Sequence, residues 1–533
     1  MTRVAVFGWG LVAPGAADIQ EFEAGLRALG GASHLEPFDG FGPDTFLVGR
    51  PRLDFKAYEG WIAERFPPSR YKQLTDKLDE TSLYAIASFI QALQQNPGIE
   101  RALQELGTQA HVYVGNALGA YPTIYGSAVE LYRAQRRWNR FWSHPERNAA
   151  HAEYRARGGD VPLTDPATLS DPDAREQAED AWFAHWAAKS DGLRQYLKEL
   201  SVIESPAVEG DVTAGKMKLL RDKRRALSAL EQKWGSPPAP WDRVSPNVLW
   251  NIANMPASQI SMLGKISGLA FSPVAACSTF GVALKLGIDA IERGEAKLVV
   301  LGSADPPPHP LCVGAFYGAR VLAADGALSK PLTGLKGTHV AGGGCVWIIG
   351  DLEYGQRLGF RPLGIEPLAV GVSSDADHII TPSEEGPRTA IRQALEAARV
   401  APSEVATWDL HATATPGDYQ ELQNLRSVVP REAAVTARKG SFGHGMGVGG
   451  GWELTAQYLG LAEGRVYGTG LQASEMNEAI RELGQTLVLD QALTLDEPAA
   501  AVAGKLSMGV GGVNACVVSR AFEPGISDRT RDR

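Results

Sequence analysis

The chain has 533 residues, 44% of them apolar and 21% charged, a globular composition long enough for two domains or one duplicated fold. Its 52 Lys and Arg against 61 Asp and Glu give a net charge of −9, which argues against nucleic acid as a partner, since phosphate binding needs a positive footprint. The four cysteines form no C-x-x-C pair, so a secreted disulfide framework is excluded. No apolar run approaches the roughly 18 residues of a membrane span, and the N-terminus lacks a leader pattern. A cytoplasmic protein of a reducing compartment is expected. The 59 glycines exceed the roughly 37 that average usage gives, which points to tight turns and close backbone approaches.

Residues 4–7 read as a buried strand that ends at Gly8-Trp9-Gly10, before Pro14-Gly15. This is not a dinucleotide-binding loop, because Ala13 replaces the last glycine of G-x-G-x-x-G and Pro14 interrupts the helix. A helix over 82–93 and a strand over 112–114 follow. From about 131 to 250 strand signal is nearly absent, and helical patterns run over 174–188 and 214–234. Seven of the twelve tryptophans fall in that stretch, so a folded helical insertion is expected rather than a linker. Its basic clusters, Arg133, Arg136, Arg137 and Arg140, then Lys216, Lys218, Arg221, Lys223, Arg224 and Arg225, either steer an anionic partner or form solvated helix faces. Beyond it come a helix over 282–291, strands over 298–301 and 346–349, a helix over 389–398 and a strand over 408–410. Alternating strands and helices predict α/β layers. The polar tail, 524–533, is expected to fray.

Three segments carry chemistry. Cys277, in Ala275-Ala276-Cys277-Ser278-Thr279, precedes a helical pattern, and a helix N-terminus stabilises a thiolate and lowers a thiol's pKa. Cys312, Cys345 and Cys516 lie in or beside apolar runs and read as structural. His411 follows a strand and opens a small-residue loop, where α/β sheets place active groups. His444 lies in the stretch 439–451, where seven of thirteen residues are glycine. Neither histidine has a His or Cys partner at ligand spacing, so no metal site and no cofactor are expected.

Together these segments resemble the β-ketoacyl synthases, condensing enzymes of the thiolase superfamily. The resemblance rests on Ala275 to Thr279, on His411 to Asp418, on Lys439 with His444 five residues later, and on Ser507-Met508-Gly509-Val510-Gly511-Gly512-Val513-Asn514. It covers roughly 1–125 and 245–520. It implies a five-layer αβαβα duplicated fold with a large helical insertion: an N-terminal half over 1–355 holding the insertion at about 131–245, and a C-terminal half over 356–523. It also implies a decarboxylative Claisen condensation, in which Cys277 carries the acyl group and a malonyl thioester on acyl carrier protein supplies the nucleophile. His411 and His444 would stabilise the enolate, Lys439 would organise the site, and the amides of Cys277 and Met508, with Gly509 beside them, would form a second oxyanion hole and gate. Asp418 and Glu421 either support the loop or form an exposed helix start. Gly342-Gly343-Gly344 departs from the family's Gly-Glu-Gly, and His339 has no evident role. The implied partners are acyl carrier protein, docked on Arg133, Arg136 and Arg137 or on Lys223, Arg224 and Arg225, an acyl-CoA primer, and a second copy in a homodimer. The alternatives are a non-decarboxylative thiolase, which needs a second catalytic cysteine, and a partner subunit of a condensing heterodimer.

Overall fold

The computed structural model describes residues 2–28, 33–42, 44–207, 212–379 and 383–523, with side chains from Lys216 onward in the helix Val212–Trp234; the tail at 524–533 lies outside the described residues. The chain divides into a body, 1–122 with 249–533, and a helical insertion, 123–248.

The body contains two five-stranded sheets of the same design. The first holds β1 (Val4–Val12), β2 (Ala110–Gly115), β3 (Ala270–Phe271), β4 (Leu298–Asp305) and β5 (Gly343–Asp351), in the order β1-β5-β4-β2-β3. The second holds β6 (Glu366–Ser374), β7 (Val405–Asp409), β8 (Ala434–Thr436), β9 (Val502–Gly509) and β10 (Val513–Arg520), in the order β6-β10-β9-β7-β8. In both, the first strand pairs antiparallel with the last, the last antiparallel with the fourth, and the remaining neighbours run parallel. Identical order and direction in two halves make the fold a duplication.

Helices supply the other layers. In chain order they are α1 (Glu80–Leu93), then in the insertion α2 (Tyr121–Ser143, beginning in the body), α3 (Ala149–Arg157), α4 (Pro172–Ala188), α5 (Asp191–Glu204) and α6 (Val212–Trp234), then α7 (Thr279–Glu292), α8 (Glu385–Ala398), α9 (Gly417–Arg426), α10 (Lys439–Phe442) and α11 (Gly449–Ala462). Helix α1 covers the outer face of the first sheet, α8 that of the second, and α7 with α11 fills the space between the sheets. The strand period of two sorts the side chains. Along β5, Val346 and Ile348 face α1, whereas Cys345, Trp347 and Ile349 face the middle layer with Phe280 and Trp452. The layers are therefore α-β-α-β-α.

Two sequence expectations change. Strand β1 does not end at Gly8 but runs through Gly8-Trp9-Gly10 to Val12. A Cβ on Gly8 would lie 2.4 Å from the Ala92 carbonyl oxygen, and one on Gly10 2.2 Å from that of Ser88, so these glycines let α1 press onto the strand rather than turn the chain. Likewise Gly343 has φ +147, and a Cβ there would meet Val12 O at 2.2 Å. The departure at Gly342-Gly343-Gly344 thus has a steric reason.

The insertion's described residues form helices joined by loops, with no strand among them, and its tryptophans form its core. Trp138 and Trp142 pack on the buried Tyr196 at ring distances of 5.3 and 5.4 Å, and Trp234 closes on Trp142 at 5.7 Å. A second cluster stacks His151 on Trp186 at 4.6 Å, beside Tyr154 and Trp182. Trp250 belongs to the body, and Trp241 is half exposed.

Candidate active site

Cys277 sits in a tight turn, Ala276–Ser278, immediately before α7. Ala276 is held at φ +47, an uncommon conformation for a residue with a Cβ. Thr279 Oγ1 braces the turn by accepting from Ala275 N at 3.0 Å and donating to Ala276 O at 2.7 Å. Ser278 Oγ lies 2.9 Å from Ser507 O and 2.7 Å from Val513 O, tying the turn to β9 and β10. The Cys277 turn of one half is thus fixed by the strands of the other. Burial outweighs the helix terminus and pushes the Cys277 thiol up to about 11, even though the Val510 amide and the Lys439 ammonium pull it down. The expectation of a lowered thiol pKa is overturned: desolvation costs more than the helix end returns.

His411 lies just beyond β7, in a loop held by two carboxylates. Glu421 accepts the amides of His411 at 2.6 Å and Ala412 at 2.7 Å, and Asp418 accepts those of Thr413 at 2.8 Å, Ala414 at 3.1 Å and Leu332 at 2.9 Å. Both carboxylates are buried, so they support the loop and do not form an exposed helix start. Desolvation pushes Glu421 up to about 7 and Asp418 to about 6.

His444 follows α10, and its backbone bridges His339 and Ala341 through His444 N to His339 O at 2.7 Å and Ala341 N to His444 O at 2.9 Å. His339 thereby gains a structural role. Its Nε2 accepts Ser329 N at 2.8 Å, its Nδ1 lies 3.1 Å from Leu47 O, and burial lowers it to about 4. The amide of Met446 donates to His444 Nδ1 at 3.3 Å, so the ring hydrogen sits on Nε2. The two rings meet nearly edge to face, with centroids 5.3 Å apart. Desolvation, reinforced by Lys439 and Lys505, lowers both histidines well below the ordinary value, so both are neutral.

Behind the histidines lies a charge cluster that sequence reasoning found only in Lys439. Lys439 Nζ donates to the His411 carbonyl oxygen and to Glu453 Oε1 at 2.7 Å. Lys505 Nζ lies 2.8 Å from Glu453 Oε2 and 3.6 Å from Asp409 Oδ1, and Arg438 Nε donates to Asp409 Oδ2 at 3.0 Å. All five side chains are buried. Their positions are scattered along the sequence, and the one available signal was charge inside apolar runs, as in Lys505 amid 501–506.

Cys277, His411 and His444 line one cavity of about 120 Å³ with Phe316, Thr338, Met508, Gly509 and Val510. Their sulfur and nitrogen atoms lie within 4.8 Å of one another, close enough for a metal ion, a grouping that ligand spacing along the chain did not reveal. The ammonium groups behind the rings oppose a dication there. The oxyanion assignment needs correction: the amides that reach the sulfur are those of Cys277 and Val510, not Met508. Met508 is buried in the core of the C-terminal half and forms part of the cavity wall, because the side chains of β9 alternate and Val510 lies past the strand's end.

The proposed docking arginines divide in two. Arg133 pairs with Glu130 at 3.1 Å, and Arg136 pairs with Glu176, Glu179 and Asp180 at 2.5, 3.1 and 2.7 Å, so they fasten α2 to itself and to α4. Arg137 is exposed on the same helix. On α6, Lys223 pairs with Glu204 at 3.1 Å, while Lys216, Lys218, Arg221, Arg224 and Arg225 are exposed and enter none of the ion pairs among the described residues.

Comparison with known proteins follows this geometry. Residues 217–351 match the β-ketoacyl synthase N-terminal domain, and residues 366–470 match the β-ketoacyl synthase C-terminal domain. The chain belongs to the β-ketoacyl synthase family. Curated family relatives include a 3-oxoacyl-[acyl-carrier-protein] synthase homolog of Saccharomyces cerevisiae, 28% identical over 286 residues, covering 51% of this chain and 63% of the relative. A chloroplastic 3-oxoacyl-[acyl-carrier-protein] synthase I of Arabidopsis thaliana is 28% identical over 296 residues, 53% of this chain and 60% of the relative. The chain thus spans less than two thirds of the length of these relatives. Among solved structures, the ishigamide ketosynthase/chain length factor superposes with a TM-score of 0.66 at 19% identity, covering 98% of this chain and 99% of that one. A β-ketoacyl synthase from Burkholderia phymatum superposes at 0.63 with 17% identity, covering 98% and 100%. These likenesses agree with the five-layer family fold.

Proposed function

We propose that this family member is a 3-oxoacyl synthase that joins an acyl thioester to a malonyl thioester with loss of carbon dioxide. The observation that carries the reading is the convergence of Cys277 with two neutral histidines in one cavity. Cys277 sulfur attacks the acyl thioester, the C–S bond to the carrier breaks, and the carrier thiol leaves with the proton, which gives the acyl-enzyme. The malonyl thioester then loses its carboxylate as carbon dioxide. The electron pair of that C–C bond moves onto the thioester oxygen, where His411 and His444 donate N–H bonds to the enolate. The enolate carbon attacks the acyl carbonyl, a C–C bond forms, and Cys277 leaves as a thiolate that takes up a proton.

The non-decarboxylative thiolase reading is disfavoured because Cys516, its candidate second cysteine, is buried in β10 away from the cavity lining. A silent partner subunit is disfavoured by the complete Cys277, His411, His444 and Lys439 set. We infer acyl carrier protein as donor, docked on the unpaired basic face of α6, and a homodimer joined at β3. That strand is a free sheet edge flanked by exposed Met262, Leu269 and Val274. The test is release of carbon dioxide and formation of a 3-oxoacyl product from acyl and malonyl thioesters. A Cys277→Ala protein that still forms product would overturn the reading.

A further inference from the structure

Lys505 is a buried cation near the histidines to which the condensation chemistry above assigns no task. It lies on β9 in register with Asp409 on β7, and both are almost completely buried. Its Nζ lies 3.3 Å from Leu410 O and 2.6 Å from Leu506 O, so it holds the carbonyl one residue before the one that Lys439 holds. Two ammonium groups thereby grip consecutive carbonyls, those of Leu410 and His411, and share one carboxylate, Glu453. Asp409 already has Arg438 at 3.0 Å and the Thr436 hydroxyl at 2.6 Å. Among the groups in direct ion-pair contact, three cations face two carboxylates. A buried surplus of this kind is costly unless the site uses it, because no water screens it.

We propose that Lys505 is a positioning residue for the decarboxylation step, supplying the surplus positive charge that lies behind His411 and His444 where the enolate oxygen forms. It also fixes the backbone from which His411 projects. The assignment rests on the condensation reading for its chemistry, and on geometry alone for its charge. In low dielectric, a fixed positive charge stabilises an anion that exists only in the transition state and intermediate, without binding the substrate more tightly. The same charge keeps protons off the rings, consistent with the lowering of both histidines by Lys439 and Lys505. The other groups packed around the histidines and Cys277 are Arg438 just before α10, Lys439 of α10, Glu453 of α11, Asp409 of β7, Asp418 and Glu421 of α9, and Asp305 of β4, beside Cys277. Burial pushes Asp305 and Glu421 up to about 7 and Asp418 up to about 6, so each is harder to ionise than an exposed carboxyl.

The test compares the full-length chain with Lys505→Met and Lys505→Arg, reading carbon dioxide release from a malonyl thioester, acylation of Cys277 by mass spectrometry, and histidine titration by NMR. Lys505→Met is expected to slow carbon dioxide release about tenfold or more. Cys277 acylation should change far less, and the His411 and His444 midpoints should move to higher pH, taking the acid limb of the decarboxylation profile with them. Lys505→Arg should restore both rate and midpoints. A folded Lys505→Met protein with unmoved histidine midpoints, or with carbon dioxide release within about twofold of the parent, overturns the proposal. If the Met variant does not fold, Lys505→Gln decides by the same readings: unmoved histidine midpoints overturn the proposal, and midpoints shifted to higher pH with slowed carbon dioxide release support it. A parent protein that releases no carbon dioxide defeats the condensation reading, while the titration still judges Lys505.

Discussion

Glu421 Oε1 accepts the backbone N–H of His411 at 2.6 Å, and its other oxygen takes the next amide. A carboxylate ten residues along the chain thus sets where the first catalytic ring points. Glu421→Ala would leave both buried amides without acceptors, at about 1–3 kcal/mol each. The expected outcome is a Tm loss, with decarboxylation falling more than Cys277 acylation, because acylation does not need His411 to be placed for the enolate. Thermal unfolding together with the two half-reactions checks this.

The Cys277 thiol is the second test. With burial holding it at about 11, alkylation by iodoacetamide should accelerate about tenfold per pH unit from 7 to 10, with no plateau near neutrality. Mass spectrometry of the Cys277 peptide gives the profile. A plateau below pH 8 would mean that the helix end wins after all.

Asp305 offers a test of stability against pH. Its Oδ1 accepts the Ala117 and Leu118 amides at 2.9 Å each, and burial raises it from 3.8 to about 7. The folded state therefore holds this proton more tightly than the unfolded chain. Its stabilising contribution is complete below about pH 4 and is lost as pH rises through 7. Asp305→Asn mimics the protonated form, so its Tm relative to the parent should rise between pH 4 and pH 8. A constant difference would defeat the assignment.

Gly343 tests the steric account of the glycine triplet. Gly343→Ala places a methyl group 2.2 Å from Val12 O at φ +147, so β1 and β5 must separate or the backbone must strain. A loss of about 2 kcal/mol or more in denaturant unfolding is expected.

On the insertion, Arg224→Glu with Arg225→Glu should weaken binding of an acidic acyl carrier protein and flatten its salt dependence, because these side chains are exposed and enter no ion pair among the described residues. Arg136→Glu should instead lower the insertion's stability, since it sets like charges against Glu176, Glu179 and Asp180. Titration calorimetry at two salt concentrations separates the two effects.

Much of this was legible in order along the chain. The apolar runs ending at Ile349 and Leu301 are strands, the periods in 282–291 and 389–398 are helical, and the tryptophan-rich stretch is a folded insertion. Local pattern suffices there, because strand and helix periods follow from backbone geometry. The short motifs at Cys277, His411 and His444 likewise marked three segments that the fold brings to one cavity.

What the sequence by itself determined is therefore the layer type, the insertion and the motifs around Cys277, His411 and His444. Tertiary structure alone decided the rest. It showed that β1 continues through its glycines because α1 lies against them. It showed that Val510, rather than Met508, brings an amide to the sulfur. It also raised the thiol instead of lowering it, and gathered Glu453, Lys505, Asp409 and Arg438 behind the histidines. The physical reason is common to all four. Burial and charge pairing depend on which distant segments meet, and at low dielectric those meetings outweigh what neighbouring residues prefer.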